Sequence, residues 1–285
     1  MPRLQRDYYP QLVEASLSVL VELMTVLKGY KEALVLIGGW VPYFILQQYQ
    51  EPEVEFQHVG SVDIDLVIDP EVVSDEEYAT ITRMLLERGY EPSPEILYQF
   101  GRTIAGAKDG REYTVGVDFL TPRPAKGGGR THRHRLVQPD LKARTLEGAE
   151  IALTHNFWLQ LSGRLPGDGL TEVGVKTADL VACVALKGLA LGGRYSEKDA
   201  YDIFSLCAYH QGGPKAVAAR VKPHLGDPIL QRGLAAMRES FRSLEGTGAS
   251  WVANFLGYEN PDQELRIRQD AFMTVGEVLK LLEST

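Results

Sequence analysis

The stretch Gly60-Ser61-Val62-Asp63-Ile64-Asp65-Leu66-Val67-Ile68 decides the predicted fold, because it combines a β-strand pattern with two closely spaced acids. Its apolar residues predict a strand over 62–68. Asp63 and Asp65 would project to the same face of that strand, with Cα atoms about 7 Å apart. Carboxylates at that separation can converge on a hard cation such as Mg²⁺. The pattern also fits a half-exposed strand whose aspartates simply face solvent.

A later segment, Val115-Gly116-Val117-Asp118-Phe119-Leu120, predicts a second strand that carries one acid. A third carboxylate from a separate strand is what two-metal phosphoryl transfer needs, because metal ions there steady both the attacking and the leaving oxygen. Asp118 could also take the proton of an incoming hydroxyl. The alternative is a polar residue near a strand end.

Two glycines and one serine are candidate phosphate-binding residues. Gly38-Gly39 follows a predicted strand and precedes a predicted helix. Glycines let a phosphate approach backbone N–H groups, and a helix start favours anions. Ser61, two residues before Asp63, could donate its hydroxyl to a phosphate oxygen, or it could stabilise a turn.

The first half of the chain alternates predicted strands and helices, which is typical of an α/β fold with a mixed sheet. The predicted strands cover 33–37, 62–68, 97–104 and 112–120, and the predicted helices cover 9–29, 40–49 and 75–88. Residues 151–154 and 157–161 could add edge strands.

From residue 177 onward the apolar periodicity is helical. The predicted helices cover 177–191, 197–209, 214–222, 228–244 and 262–283. We therefore predict an α+β or α/β domain over 1–174, with a mixed sheet and flanking helices, followed by a C-terminal helical domain over 175–285.

Bulk composition limits the function classes. The net charge of −8 argues against a protein that coats nucleic acid along its length. No apolar run is long enough to predict a membrane span, and the first residues lack the apolar core of a secretory signal. The two cysteines, Cys183 and Cys207, have no metal-ligand spacing and are predicted to be buried thiols. We expect a cytoplasmic protein.

One segment is basic against this acidic background. Between residues 123 and 144 the only acid is Asp140, and Gly127-Gly128-Gly129 predicts a loop. Arginine side chains suit phosphate contacts, so we predict contact with RNA or with a triphosphate. The alternative is a solvated loop. The RNA-binding candidates are Lys126, Arg130, Arg133 and Arg135. His132 and His134 alternate here, but nothing nearby completes a set of metal ligands.

The combination of Gly38-Gly39, Ser61-Val62-Asp63-Ile64-Asp65 and Asp118 resembles the DNA polymerase β-like nucleotidyltransferase superfamily. Within it, the chain is similar to the AbiEii family, the toxins of type IV toxin–antitoxin systems. The residues that carry this narrower likeness are Ala185-Leu186-Lys187, Ala190-Leu191, Arg194, Lys198-Asp199 and Asp202. The likeness covers roughly residues 33 to 205.

The resemblance implies a role for each matching residue. Asp63, Asp65 and Asp118 would hold Mg²⁺ or Mn²⁺. Lys187 would contact the triphosphate of the NTP co-substrate, and Asp199 would help to position the site. Gly38, Gly39, Ser61, Arg194 and Lys198 would also bind the nucleotide.

Two of these roles have alternatives. The family's lysine often follows an acid by four positions, a spacing that Glu172 and Lys176 have, so Lys176 could be the functional lysine instead of Lys187. Ser196-x-x-Asp199 also fits a helix N-terminal cap.

The predicted function is therefore transfer of a nucleoside monophosphate to an acceptor hydroxyl. The resemblance favours RNA as acceptor, for example a tRNA 3′ end, with a toxin role and a cognate antitoxin as partner. A small-molecule acceptor of the aminoglycoside type, or a non-catalytic nucleotide-binding protein of the same fold, are the alternatives.

Overall fold

The structure is a computed structural model, and it describes residues 4–73, 79–124, 133–167 and 169–284. The chain divides into two compact units. The helical unit contains Met1–Tyr8, Val41–Gly60 and Asp179–Thr285, and the sheet unit contains Tyr9–Trp40 and Ser61–Ala178. Val41–Gly60 therefore belongs with the C-terminal helices, although we had predicted it as part of the N-terminal domain.

The sheet unit contains nine strands in one mixed sheet, counted over the described residues. The main path runs β3-β4-β5-β2-β1-β9-β8, and β7 pairs with both β5 and β6. The strands are β1 (Leu34–Ile37), β2 (Ile64–Ile68), β3 (Glu91–Pro92), β4 (Gln99–Ala105), β5 (Glu112–Pro122), β6 (His134–Gln138), β7 (Leu141–Leu146), β8 (Asn156–Arg164) and β9 (Leu170–Ala178).

Helix α1 (Pro10–Val26) covers one face of this sheet, with contacts to β4, β5, β8 and β9. A Cβ on Gly163 of β8 would lie 2.8 Å from a methyl carbon of Val21, so the helix approaches closely only because that residue is glycine. Buried Glu22 of α1 accepts hydrogen bonds from Arg88 and Arg102 at 2.7 and 2.9 Å. The sheet unit also contains α3 (Ile81–Glu87) and α4 (Glu150–Thr154).

The helical unit is built mainly from α5 to α10. Helix α5 crosses α8 at two glycines, since a Cβ on Gly188 would lie 2.4 Å from the carbonyl oxygen of Gly233. Helix α6 packs against α9 and α10. The helices are α5 (Leu180–Gly193), α6 (Glu197–Tyr209), α7 (Gly213–Val221), α8 (Pro228–Ser240), α9 (Thr247–Leu256) and α10 (Pro261–Glu283), and α2 (Trp40–Tyr49) begins at the unit boundary. Over the described residues, no helix has both the length and the apolar character that crossing a membrane requires.

The predicted mixed sheet with flanking helices is confirmed in outline. One element is corrected: residues 151–154 form part of α4, not an edge strand, because Ile151 and Ala152 pack inward on a helical turn. Residues 157–161 do lie in the outer strand β8. The predictions missed β3, β6, β7, β9 and α9. Part of the predicted helix over 75–88 lies outside the described residues.

Candidate functional site

The pairing of β2 with β5 brings two of the predicted aspartates together. Asp65 and Asp118 are register partners in this parallel pair, so their side chains leave the same face of the sheet. The next pair, Leu66 and Phe119, is fully buried on the other face. Arg102, the partner of Val115 on β5, reaches Glu22 of α1. The aspartates therefore occupy the face opposite α1.

Asp63 joins this face from the residue just before β2. Its Oδ1 atom lies 3.1 Å from the position that a Cβ on Gly116 would take. Gly116 is two residues from Asp118 on β5, and it leaves the space that the carboxylate of Asp63 occupies. All three predicted acids are thus half-buried on one side of the sheet.

The electrostatics of the site disfavour charge on two of these acids. Burial raises the pKa of Asp63. Burial also raises the pKa of Asp118, and the nearby charge of Asp63 raises it further. Gln99 opposes this by donating from Nε2 to Oδ1 of Asp118 at 2.7 Å, which favours the ionised form. A cation placed between the carboxylates would relieve their repulsion.

Gln99 is a site residue that the sequence analysis missed. It is the register partner of Asp118 across the antiparallel pair β4–β5, so its side chain lies on the same face. Its nearest side-chain atom is 3.3 Å from the Cβ position of Gly116. The predicted strand over 97–104 already contained Gln99, but its partner could not be identified without the register.

Position 38 requires glycine for two reasons, its backbone conformation and the closeness of Asp65. Its φ of +77° lies in the left-handed region, and a Cβ would stand 2.0 Å from Oδ2 of Asp65. Gly38, a candidate phosphate-binding residue, therefore lies against Asp65, a candidate metal ligand. Gly39 follows Gly38 and precedes Trp40, the first residue of α2. Ser61 is buried and donates to the carbonyl oxygen of Asp63 at 3.0 Å, which is the turn-stabilising alternative.

The carboxylates do not form a complete metal cage. Among the described residues, no group of three or more His, Cys, Asp and Glu side chains is arranged to hold a metal ion. Mg²⁺, however, usually binds through one or two carboxylates together with substrate phosphates and water. The carboxylates of Asp63 and Asp118, whose charges interact, could supply two ligands of such a site.

Three residues predicted to bind the nucleotide, Lys187, Arg194 and Lys198, form an ion network with two aspartates in the helical unit. Lys187 on α5 lies 3.0 Å from Asp199 and 2.5 Å from Asp202, both on α6. Arg194 also binds Asp199, at 2.7 Å, and Lys198 binds Asp202, at 2.9 Å. The carboxylate of Asp199 thus joins the network, and the N-cap residue of α6, Ser196, makes no side-chain capping bond.

The two aspartates offset most of the positive charge of this network. Burial by itself lowers the pKa of Lys187, but Asp202 and Asp199 outweigh it and raise that pKa above its usual value. Burial dominates for Lys198, whose pKa is lowered. Three cations share two carboxylates here, and the side chain of Arg194 is 64% exposed.

His58 completes the network and was missed by the sequence analysis. Its Nε2 atom lies 2.9 Å from Asp202, and its Nδ1 accepts the backbone N–H of Gly60 at 3.1 Å. These partners place the proton on Nε2, which donates to Asp202. Burial lowers the pKa of His58 to about 4, so the ring is neutral at pH 7. No motif in the sequence marks this histidine.

Lys176, the alternative functional lysine, lies on β9 of the sheet unit. Its ammonium donates to the backbone oxygen and to the carboxylate of Glu32 at 2.8 and 2.9 Å, and it lies over the ring of Trp158.

Two of the predicted RNA-binding residues are described. Arg133 is exposed and precedes β6, whereas Arg135 on β6 lies 3.7 Å from Glu71. Lys126, Arg130 and His132 lie outside the described residues.

Comparison with known proteins leaves the family open: no family model matches this chain, and neither does any curated protein. The resemblance to nucleotidyltransferases therefore depends on the residues above.

Proposed function

We propose that the chain is a metal-dependent nucleotidyltransferase that moves a nucleoside monophosphate from an NTP to the hydroxyl of an acceptor, with release of pyrophosphate. One observation carries the proposal: Asp65 and Asp118 are partners on neighbouring strands, and Asp63 shares their face of the sheet. An arrangement of carboxylates that costs free energy in the empty protein is typical of a functional site.

Each residue of the site has a role in this chemistry. Asp63, Asp65 and Asp118 would hold Mg²⁺ or Mn²⁺ together with the triphosphate. A bound divalent ion supplies positive charge where negative charge develops on the transferred phosphoryl group. Gln99 fixes Oδ1 of Asp118, and Oδ2 would accept the proton of the acceptor hydroxyl.

RNA as acceptor and a growth-inhibiting toxin role are part of the proposal. They rest on the AbiEii resemblance and on the basic residues around β6. A small cationic acceptor would instead favour acidic surroundings, whereas Arg133, Lys142 and Arg144 are exposed on and beside β6 and β7.

The experiment is incubation of the purified protein with each labelled NTP, Mg²⁺ and total RNA, followed by gel separation. We expect label in RNA with the wild-type chain and none with Asp63→Ala or Asp118→Ala. Undiminished transfer in either variant would refute the assigned site. Expression of the active and inactive chains in a bacterial host would show whether transfer inhibits growth.

A further inference from the structure

An aromatic and cationic cluster lies at one edge of the carboxylate face. The rings of Tyr98 and His134 are stacked, with centroids 5.6 Å apart and an interplanar angle of 29°. The guanidinium of Arg144 lies 5.7 Å from the centroid of Tyr98 and donates to its hydroxyl at 3.4 Å. We call these three residues the Tyr98 cluster.

The register places this cluster beside Asp118. Arg144 on β7 is the partner of Leu120 on β5, and His134 on β6 is the partner of Arg144. Leu120 is two residues from Asp118, so all these side chains leave the same face. Strand spacing puts the Cα atoms of Arg144 and Asp118 about 8 Å apart. Tyr98 directly precedes Gln99, the residue that binds Asp118.

The guanidinium of Arg144 differs from those of the structural arginines in this chain. Arg88 and Arg102 are each held by Glu22, and Arg194 is held by Asp199. Arg144 is exposed, and among the described residues it makes no ion pair with a carboxylate. An exposed guanidinium beside an aromatic ring is available to a phosphate, which it can bind through two parallel hydrogen bonds.

We infer that the Tyr98 cluster binds a nucleoside phosphate, with the base against the Tyr98 and His134 rings and the phosphate on Arg144. An aromatic ring accepts any base by stacking, and a neighbouring cation neutralises the attached phosphate. A group bound there would be about one nucleotide away from Asp118. This inference rests on the proposed function, because it assigns the cluster as the subsite that orients a substrate next to the carboxylates.

Two sources share this chemistry, the end of a single-stranded RNA and a free NTP. The primary measurement is fluorescence anisotropy of a labelled six-nucleotide single-stranded RNA, titrated with the full chain in EDTA. EDTA prevents transfer, so binding is measured whether or not the protein is an enzyme. The variants are Tyr98→Leu, which removes the ring, and Arg144→Gln, which removes the charge at an exposed position.

Trp158→Leu is the matched control. Trp158 is also an exposed aromatic residue with cations over its ring, Lys31 and Lys176, but it lies at the opposite edge of the sheet. We expect Tyr98→Leu to weaken RNA binding on the order of 10-fold or more. Arg144→Gln should lower the slope of log K against log salt by about 0.7, the value for one phosphate on a single strand. Trp158→Leu should bind RNA as the wild type does.

Two further measurements distinguish RNA from free NTP as the ligand and test the inference. An RNA with an abasic nucleotide at each position in turn should lose its sensitivity to Tyr98→Leu at one position. Unlabelled ATP, GTP, CTP and UTP are added as competitors; displacement at the cluster would identify the NTP as the ligand. Equal binding by wild type, Tyr98→Leu and Arg144→Gln in both arms would overturn the inference. Lost binding in these variants without any nucleotide transfer would uphold the inference and refute the proposed function.

Discussion

Asp65 and Asp118 face each other as direct partners across the parallel strands β2 and β5, on the side of the sheet that α1 does not cover. The adjacent pair, Leu66 and Phe119, points the other way into the core. A slip of one residue in this register would bury one acid under α1 and expose a core residue. The same packing that stabilises the sheet therefore fixes the relative positions of the acids.

Asp63→Asn and Asp118→Asn should separate activity from stability. Burial raises the pKa of both acids, so at neutral pH their ionised forms destabilise the folded chain. We expect each variant to lose at least 100-fold in nucleotide transfer while its Tm stays equal to or above that of the wild type. Thermal unfolding in EDTA at pH 7.5 checks this. A lower Tm for both variants would mean that these acids stabilise the fold.

Metal binding should depend on the nucleotide. The described residues provide no group of three ligands, so Mg²⁺ alone should change the Tm little. Mg²⁺ together with NTP should raise the Tm by more than the sum of the two separate shifts, because phosphate oxygens complete the coordination. Asp63→Asn should abolish this excess. A large rise in Tm with Mg²⁺ alone would show that the protein by itself provides a complete metal site. It would contradict a site whose ligands come from both the protein and the nucleotide.

Gly38→Ala should harm both stability and transfer. The new Cβ would overlap the carboxylate of Asp65 and would force a positive φ on alanine. Gly110→Ala is the control, because Gly110 also has a positive φ, of +65°, but has open space around it. We expect Gly110→Ala to cost about 1 kcal/mol of unfolding free energy with normal transfer.

Gly38→Ala should cost more than Gly110→Ala and should lower transfer at least 10-fold. Combining Gly38→Ala with Asp65→Ala should bring the stability back towards that of Gly110→Ala, because the overlap is removed. Equal effects of the two single glycine substitutions would show that Asp65 does not occupy the space beside Gly38.

The sheet was predictable from the sequence only where its strands carry a clear apolar pattern. Strands β1, β2, β4 and β5 were predicted, because β1 and β2 are largely apolar and buried, and β4 and β5 have buried apolar residues between more exposed ones. Strands β6 and β7 contain His134, Arg135, Lys142 and Arg144, so their polar pattern indicated a loop. Their β structure comes from pairing with each other and with β5, which a local pattern does not encode.

The acids of the site were predictable by type, but their partners were not. Asp63, Asp65 and Asp118 were identified from their spacing and apolar surroundings. Gln99 and His58 were not identified, because their partners are distant along the chain. Asp118 is 19 residues from Gln99, and Asp202 is 144 residues from His58. Residue pairs at such separations are brought together by the register or by helix packing.

Lys187→Met and Lys176→Met should differ sharply in stability. Lys187 is buried and contacts both Asp199 and Asp202, so its loss removes a buried partner from each carboxylate and should cost about 3–5 kcal/mol. Lys176 binds the exposed Glu32, and its loss should cost at most about 1 kcal/mol. Urea unfolding at pH 7.5 measures both. Transfer by the folded fraction at low temperature then tests which lysine acts on NTP: a raised KM for NTP in Lys176→Met alone would assign the contact to Lys176.

The pH dependence of the unfolding free energy should reveal the lowered pKa of the buried His58. In the folded chain its pKa is about 4, whereas a histidine in the unfolded chain titrates near 6.5. Between these values the unfolded chain binds the proton more tightly, so the stabilisation is complete above pH 6.5 and is lost as the pH falls towards 4. From pH 7.5 to pH 5 this loss should be about 2 kcal/mol. Asp63 and Asp118, whose raised pKa values act in the opposite direction, are common to all chains compared.

His58→Gln tests this assignment, because a glutamine amide can still donate to Asp202 but does not titrate. We expect it to be less stable than the wild type at pH 7.5, since the hydrogen bond to Gly60 and the stacking on Tyr201 are lost. Its unfolding free energy should nevertheless change less between pH 7.5 and pH 5. A wild-type slope in His58→Gln would mean that the pKa of His58 is not lowered in the folded chain.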